Sequence, residues 1–343
     1  MFSYYSCNNP HKKFNKAEEK GNIEAYEDFI ENNPNSKYLE DAKHRIRAIK
    51  SKVLFVSNRD GNSEIYSIDI NGDNPINLSQ NPAADYDPKW SPNGRHIAFS
   101  SDRTGNREIY IMDYDGINQK QLTVNSGSFP SWSPDGQHIA YCSEFDIFIY
   151  DLIDSTFHNI TNTFNIMEMQ PVWSPCGKYI CYSSGKKGET LNLYIMDNTG
   201  QNIKQLTNDS AFNYSPTWSP YCQKIIYISS TPLSSFKNPI WVLTEDYNMY
   251  VMDEGKGITS ICNTENSLAV IDINGSNKDI LLSNTNHIRA PYWTQNDELV
   301  LVTMDTGDNI DIYSVNIITK DISRLTTTDK QDYSPNSYPV IYK

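Results

Sequence analysis

Long hydrophobic runs are absent from this 343-residue sequence. None approaches the ~20 apolar residues that a membrane-spanning helix needs, so we expect no membrane span. The first residues, MFSYYSCNNPHKK, lack the charged segment and apolar stretch of a signal peptide. The sequence leaves open whether a signal precedes Cys7 and whether that cysteine carries a lipid, so the localisation stays undecided.

Metal-binding motifs are also absent. None of the six cysteines stands in a CxxC motif or forms a Cys/His pairing typical of zinc sites. Cys142 and Cys181 fall within strand-like runs, which favours a buried, small hydrophobic role for both. We therefore expect neither a metal nor another cofactor.

Basic residues are few: 29 Lys and Arg stand against 42 Asp and Glu, for a net charge of −13. Residues 1–52 carry ten Lys and Arg against eight Asp and Glu, so the excess acid lies in the rest of the chain. A body this acidic repels phosphate backbones, which argues against a nucleic-acid partner. A protein or peptide partner, and a monomeric chain, are the expectations that remain.

What the sequence does contain is a repeat. A proline step recurs six times, at intervals of 42, 41, 45, 75 and 44 residues. The marker prolines are Pro88, Pro130, Pro171, Pro216, Pro291 and Pro335. After the first five comes a Trp, and in four of these repeats a Ser-Pro turn, then alternating runs such as IAFSS and EIYIMD. Each period predicts four short strands, A to D, separated by turns.

A four-stranded unit of about 42 residues cannot bury its own faces, but such units pack radially as the blades of a β-propeller. The Trp of strand A then fills the wedge between blades. The repeat begins at Lys52 with strand B, and the chain ends with strand A text. We predict a mainly β fold, a six-bladed propeller over 52–343, in which Tyr333–Tyr342 completes the first blade beside Val53–Asn58.

The 75-residue interval contains two C–D patterns, at 248–262 and 267–283. Only one belongs to a blade, and the sequence leaves open which. An inserted hairpin within 231–266 lies in either case at the end where the B–C and D–A loops open. Its apolar residues, among them Phe236 and Trp241, predict a lid over that end or a contact for a partner.

Residues 1–51 differ from the rest. Apolar residues recur at helical spacing in 15–32 and again in 36–50, with a break at NPNS and an N-cap at Ser36. We predict an N-terminal tail and a short helical hairpin with few contacts to the ring.

The stretch WSPNGRHIAFSSDRTGNREIYIMDYDGINQKQLT, from Trp90 to Thr123, is similar to the repeat of TolB-type six-bladed propellers. The resemblance covers residues 52–343. It implies a periplasmic, non-enzymatic adaptor that holds one partner on a face and peptides in the central channel. The hairpin text AYEDFIENNPNSKYLEDAKHRI resembles a tetratricopeptide unit instead of the α/β domain that TolB carries, so TolB's own partners do not carry over.

The strand A starts surround the channel mouth of a propeller, so the one or two residues before each marker proline are the candidate binding residues. Tyrosine and arginine tend to carry interface energy. The candidates are Tyr86, Asp87, Phe129, Met169, Gln170, Tyr214, Arg289 and Tyr333. The competing interpretation is that some of these tyrosines only cap the blades.

An enzyme is the alternative: a propeller hydrolase or lyase that acts on a carbohydrate or peptide. Similar repeats occur in prolyl-oligopeptidase-like peptidases, which also need a G-x-S-x-G elbow, and the sequence has none. They occur as well in oligogalacturonate lyases, in which His side chains hold a metal. Here His96 and His138 occupy equivalent places after the A–B turn, which favours surface repeats over ligands. We therefore expect a binding scaffold without catalytic residues.

Overall fold

The structure, a computed structural model, describes residues 9–21, 23–186, 189–232, 240–243, 249–253, 257–260, 264–283, 288–294 and 297–337. Three helices precede the strands: α1 (Pro10–Lys20), α2 (Ile23–Asn32) and α3 (Leu39–Lys50). Within the described ranges, no helix is long and apolar enough to cross a membrane.

The predicted N-terminal helices are confirmed, but there are three instead of two, because the first predicted helix is broken at Gly21. Gly21 has a φ of 60° and ends α1 by donating its N–H to the Ala17 carbonyl at 2.8 Å. A Cβ at this position would stand 2.9 Å from the Tyr114 hydroxyl, so both the backbone and the space favour glycine. Ser36 is not the N-cap of α3 either; its hydroxyl accepts the Tyr38 N–H in the preceding turn.

The helices also contact the ring, contrary to expectation. Ile23 is buried in one cluster with Leu78 and Trp90 of the ring. Arg95, in the A–B turn of the second blade, pairs with Glu24 at 2.9 Å. The N-terminal helices are therefore packed against the strands that follow them.

Six four-stranded antiparallel sheets form the blades. Blade 1 contains β1 (Lys52–Ser57), β2 (Glu64–Asp69) and β3 (Ile76–Asn77); blade 2 contains β4 (Asp85–Trp90), β5 (His96–Ser101), β6 (Glu108–Asp113) and β7 (Lys120–Gln121). Blade 3 contains β8 (Ser128–Trp132), β9 (His138–Ser143), β10 (Asp146–Asp151) and β11 (Thr156–Asn159); blade 4 contains β12 (Ile166–Trp173), β13 (Tyr179–Lys186), β14 (Asn192–Asp197) and β15 (Lys204–Gln205).

Blade 5 contains β16 (Phe212–Trp218) and β17 (Lys224–Pro232), then β21 (Thr264–Asp272) and β22 (Asp279–Leu282). Between them β18 (Ile240–Leu243), β19 (Met249–Asp253) and β20 (Gly257–Ser260) form a separate three-stranded sheet. The first of the two C–D patterns is thus the insertion, placed in the B–C connection. Blade 6 contains β23 (Arg289–Trp293), β24 (Leu299–Asp305), β25 (Ile310–Asn316) and β26 (Ile322–Arg324).

The last strand, β27 (Asp332–Ser337), completes blade 1 as its inner strand. It pairs antiparallel with β1, with Tyr333 opposite Val56 and Ser337 opposite Val53. This confirms the predicted closure for these residues; residues 338–342 lie outside the described part of the chain. Arg59 reinforces the pairing, because its Nη2 atom lies 3.0 and 3.1 Å from the two carboxylate oxygens of fully buried Asp332.

Tryptophans join neighbouring blades, as predicted, and they do so by hydrogen bonds as well as packing. In three junctions the residue after the marker proline accepts the backbone N–H of the next blade's Trp; these acceptors are Asn336 for Trp90, Ser131 for Trp173 and Thr217 for Trp293, at 2.9 to 3.3 Å. In two others the indole donates instead. Trp132 Nε1 bonds the Lys89 carbonyl at 3.1 Å, and Trp218 Nε1 bonds the Val172 carbonyl at 2.9 Å.

The D–A loops are fixed by a hydroxyl in the Leu-Thr segment. In blade 2, Thr123 donates to the buried Glu108 carboxylate at 2.6 Å and accepts the Ile109 N–H at 2.9 Å. Ser79, Thr161, Thr207 and Thr326 accept the equivalent N–H in blades 1, 3, 4 and 6. Each loop is thereby held against the start of strand C, which sets where the next inner strand begins.

Closure can be tested at Asp332. Asp332→Asn keeps the shape of the side chain but leaves the Arg59 guanidinium without its buried counter-charge. Because breaking a buried ion pair from one side is costly, we expect the free energy of unfolding to fall by about 3 kcal/mol. Urea unfolding measures this, and hydrogen exchange at Lys52–Ser57 locates it.

The matched control is Asp329→Asn in the same approach to β27, where the side chain is exposed. A surface change of this kind shifts stability by no more than about 0.5 kcal/mol. Equal effects of the two substitutions, or no gain in exchange at β1, would contradict a role for this ion pair in closing the ring.

Candidate functional site

Each inner strand is bulged at its marker proline. The residue just before the proline has a φ between 45° and 57° in all six blades; these residues are Asp87, Phe129, Gln170, Ser215, Ala290 and Ser334. The pairing with strand B shifts register at the same place. Six non-glycine residues in the left-handed region form a repeated feature of the channel, since such bulges re-aim side chains.

The residues after the prolines form a ring that lines the channel. They surround a cavity of about 140 Å³ together with tryptophans of the A–B end. The six members of this ring are Lys89, Ser131, Val172, Thr217, Tyr292 and Asn336. The sequence-based candidates did not include these positions.

A positively charged side chain, that of Lys89, lies inside this ring. The Lys89 ammonium of blade 2 lies 5.6 Å from the ring centroid of Tyr292 in blade 6, so the contact passes in front of blade 1. Burial lowers the pKa of Lys89 and raises the pKa of neighbouring Asp87, while the attraction between their charges opposes both shifts. The channel thus places a Lys and an Asp together in a low-dielectric setting.

At the channel mouth, Arg107 contacts one of the predicted residues. Its guanidinium carbon lies 4.4 Å from the ring centroid of Tyr86, and its Nε lies 3.3 Å from an oxygen of Asp102. The Tyr333 hydroxyl lies 2.6 Å from the Ser63 hydroxyl. Burial raises the pKa of Tyr333 to about 12, with Asp87 and Tyr86 adding to the rise and Arg107 opposing it.

We call Tyr86, Asp87, Arg107 and Tyr333 the mouth cluster. Three of its four members were candidates from the sequence. The fourth, Arg107, precedes strand C and therefore comes from a B–C loop. It was missed because only the D–A loops were searched, although both loops open at the same end.

The other candidates divide by exposure. Met169 and Tyr214 are 3% and 8% exposed and belong to a hydrophobic core cluster, and Phe129 packs against the same cluster. Met169 and Tyr214 are therefore core residues in this structure, and their role as contact residues stays a prediction.

Gln170 and Arg289 complete the mouth. Gln170 accepts the Ser215 N–H at 2.8 Å and donates to its hydroxyl at 3.2 Å, which joins two blades around the opening. Arg289 is half-buried, and its Nε has no hydrogen-bond partner among the described residues. Of the two predicted lid residues, Phe236 lies outside the described residues, and Trp241 is described only as a backbone position in β18.

The histidines after the A–B turns lie at the opposite end. His96 Nδ1 stands 3.1 Å from Asp113, and His138 Nε2 stands 3.5 Å from Asp151, the equivalent residue one blade on. Each therefore makes the same contact in its own blade, as expected of a structural repeat. Within the described ranges, no three His, Cys, Asp or Glu side chains come together as a set that could hold a metal ion.

A family model described as "TolB beta propeller domain" matches residues 47–128 and 107–232, which together make up more than half of the chain. Among solved structures, TolB from Acinetobacter baumannii is similar with a TM-score of 0.67 and 19% identity, over 88% of this chain and 71% of that one. A putative TolB from Agrobacterium tumefaciens gives 0.54 and 21%, over 69% and 78%. Hydrazine synthase from Kuenenia stuttgartiensis gives 0.63 and 14%, over 85% and 47%. At identities of 14 to 21%, the likeness shows that this chain shares its fold with these structures.

The mouth cluster predicts a dependence on pH. Arg107 lowers the pKa of Asp87, so Arg107→Gln should raise that pKa further above its ordinary value. A carboxyl whose pKa is higher in the folded state binds more protons there. The free energy of unfolding therefore falls as the pH rises from about 4 through the folded-state pKa, and the fall should be larger in the variant.

Urea unfolding at a series of pH values measures this. Arg95→Gln is the control, because Arg95 pairs with Glu24 at the opposite end of the blade. An unchanged pH profile in the Arg107 variant, or the same change in the Arg95 variant, would show that Arg107 does not act on Asp87.

Proposed function

Because this chain belongs to the TolB β-propeller family, we propose that it is a non-enzymatic scaffold that binds a protein or peptide at the channel mouth. The binding end is the one where the B–C and D–A loops open. The mouth cluster is the observation on which this proposal chiefly depends.

The mouth cluster has the composition of an interface anchor. Two tyrosines and an arginine meet there, and these residue types are enriched among those that dominate binding energy. Arg107 stacks on Tyr86, and Tyr333 is tied to Ser63, so these side chains are already held in place before binding. Pre-ordered anchors lose less conformational entropy on association, which favours affinity.

Exposed apolar side chains stand at the same end. Phe164, in the loop from blade 3 to blade 4, is 97% exposed, and Val124, in the loop from blade 2 to blade 3, is 69% exposed. Both lie in D–A loops, on successive junctions around the ring. We propose that they extend the mouth cluster outward as the rim of the binding surface.

The insertion of blade 5 is placed to take part. β17 and β21 are antiparallel neighbours, so the connection between them opens at the same end as the D–A loops. We propose that the β18–β20 sheet, which contains Trp241, serves as a lid or a further contact for the partner.

Binding can be tested at the rim. Phe164→Ser combined with Val124→Ser removes two exposed apolar side chains without opening the core. We expect at least about tenfold weaker capture of the partner, since apolar interface residues are lost from the binding end. The measurement is quantitative pull-down from the source organism with immobilised protein, followed by titration of the recovered partner.

The control is Ile117→Ser combined with Ile153→Ser, in the C–D turns of blades 2 and 3 at the opposite end. These residues are 60% and 69% exposed, so the control also removes two exposed apolar side chains. Partner capture that survives the rim pair and fails with the control pair would mean that the wrong end has been chosen. A tightly bound transition metal in the purified protein, with turnover of a carbohydrate or peptide, would favour the lyase or hydrolase alternative instead.

A further inference from the structure

The A–B turns of two neighbouring blades, 4 and 5, differ from the repeat because each contains a cysteine. The turns of blades 2 to 5 have the sequences SPNG, SPDG, SPCG and SPYC. In the third position, Asn93 and Asp135 accept a backbone N–H two residues on, at 3.0 and 2.9 Å. Cys176 occupies this position in blade 4, where a thiol is a much weaker acceptor.

The fourth position is the more unusual of the two. Gly94, Gly136 and Gly177 adopt it with φ values of 68°, 71° and 73°. Cys222 adopts the same left-handed conformation, at 57°, although its Cβ disfavours it. Glycine would fit this position without strain, so the presence of Cys222 here points to a use for its sulfur atom.

The fold brings the two cysteines together. They lie 46 residues apart in the chain, on blades 4 and 5, yet the Cys176 N–H donates to Cys222 Sγ at 2.9 Å. The Cys176 thiol also lies 3.4 Å from the Ser174 hydroxyl. Cys176 is exposed, Cys222 is half-buried, and both are free thiols here.

The two thiols differ in acidity. Burial alone would raise the pKa of Cys176, but hydrogen bonds with the Cys222 thiol and the Ser174 hydroxyl outweigh it and lower that pKa. Burial and the neighbouring Cys176 raise the pKa of Cys222 to about 12. Since the thiolate is the nucleophile, Cys176 is the one that attacks first.

We propose that Cys176 and Cys222 are a thiol–disulfide pair that closes into a cross-blade disulfide between the A–B turns of blades 4 and 5. The oxidant is a disulfide, either a small molecule or a thiol–disulfide exchange protein. The Cys176 thiolate attacks one sulfur of that disulfide and releases the other as a thiolate. Cys222 then loses its proton to solvent and attacks Cys176 Sγ, which releases the second thiolate. Two protein thiols lose two electrons, and one donor disulfide gains them.

The test uses the full chain with oxidised glutathione, followed by alkylation, trypsin and mass spectrometry. We expect a cross-link between the peptide that ends at Lys178 and the peptide that ends at Lys224, and a mass lower by two hydrogen atoms. The melting temperature should rise by about 5 °C on oxidation, since a loop of this length is closed. Closure should be faster at higher pH, because Cys222 must ionise.

Three variants make the test decisive. Cys142→Ala should keep the cross-link, because that buried cysteine lies on the same tryptic peptide but not at the junction. Cys176→Ser should abolish both the cross-link and the oxidation-dependent stabilisation. Cys222→Gly restores the turn of the other blades, so it should fold and accumulate a glutathione adduct on Cys176.

The proposal is overturned if the adduct on Cys176 persists in the unsubstituted chain without resolution, or if the cross-link survives in Cys176→Ser. It is also overturned if oxidised glutathione produces neither an adduct nor a cross-link.

Discussion

The ring is closed by the pairing of β1 with β27, because the end of the chain there supplies the inner strand of the first blade. Because of it, every inner strand has a neighbouring inner strand on both sides, and the six residues after the marker prolines form one ring around the channel. The mouth cluster depends directly on this pairing. Tyr333 belongs to the closing strand, whereas Tyr86 and Arg107 come from blade 2, so the cluster exists only when the end of the chain returns to its first blade.

The architecture could be predicted from the sequence because its signals are local. Strand alternation, Ser-Pro turns and a period near 42 residues are properties of each segment alone, and the incomplete first and last repeats complement each other. The burial of Met169 and Tyr214 could not be predicted in this way. It depends on which side chains the adjacent blades bring to the same place, and Leu191 and Ile228 of their shared cluster stand at positions that the repeat does not mark. The glycine at the break, Gly21, likewise lies against Tyr114, in a turn of the ring that is distant in the sequence.

Lys89 shows how the ring accepts a charged residue at its axis. Asn336, Ser131 and Thr217 use their side chains to accept the next blade's Trp N–H, but Lys89 and Val172 have no acceptor atom. At those two junctions the indole N–H donates to the backbone carbonyl instead. The junction therefore does not depend on the identity of the channel side chain. This freedom allows one axial position to carry an ammonium group while its neighbours carry hydroxyl, amide or alkyl groups.

The insertion in blade 5 shows how the same scaffold can acquire a new module. Pro232 and Thr264 face each other across β17 and β21, so a segment grafted between them leaves and returns at one point. Lengthening such a connection has a small entropic cost that grows only with the logarithm of its length. An added sheet at this point therefore affects the ring only as a longer loop would. The other B–C connections join paired antiparallel strands in the same way. Those of blades 1 and 2 hold Arg59 and Arg107, so the connections of the remaining blades are the points at which a foreign domain can be fused.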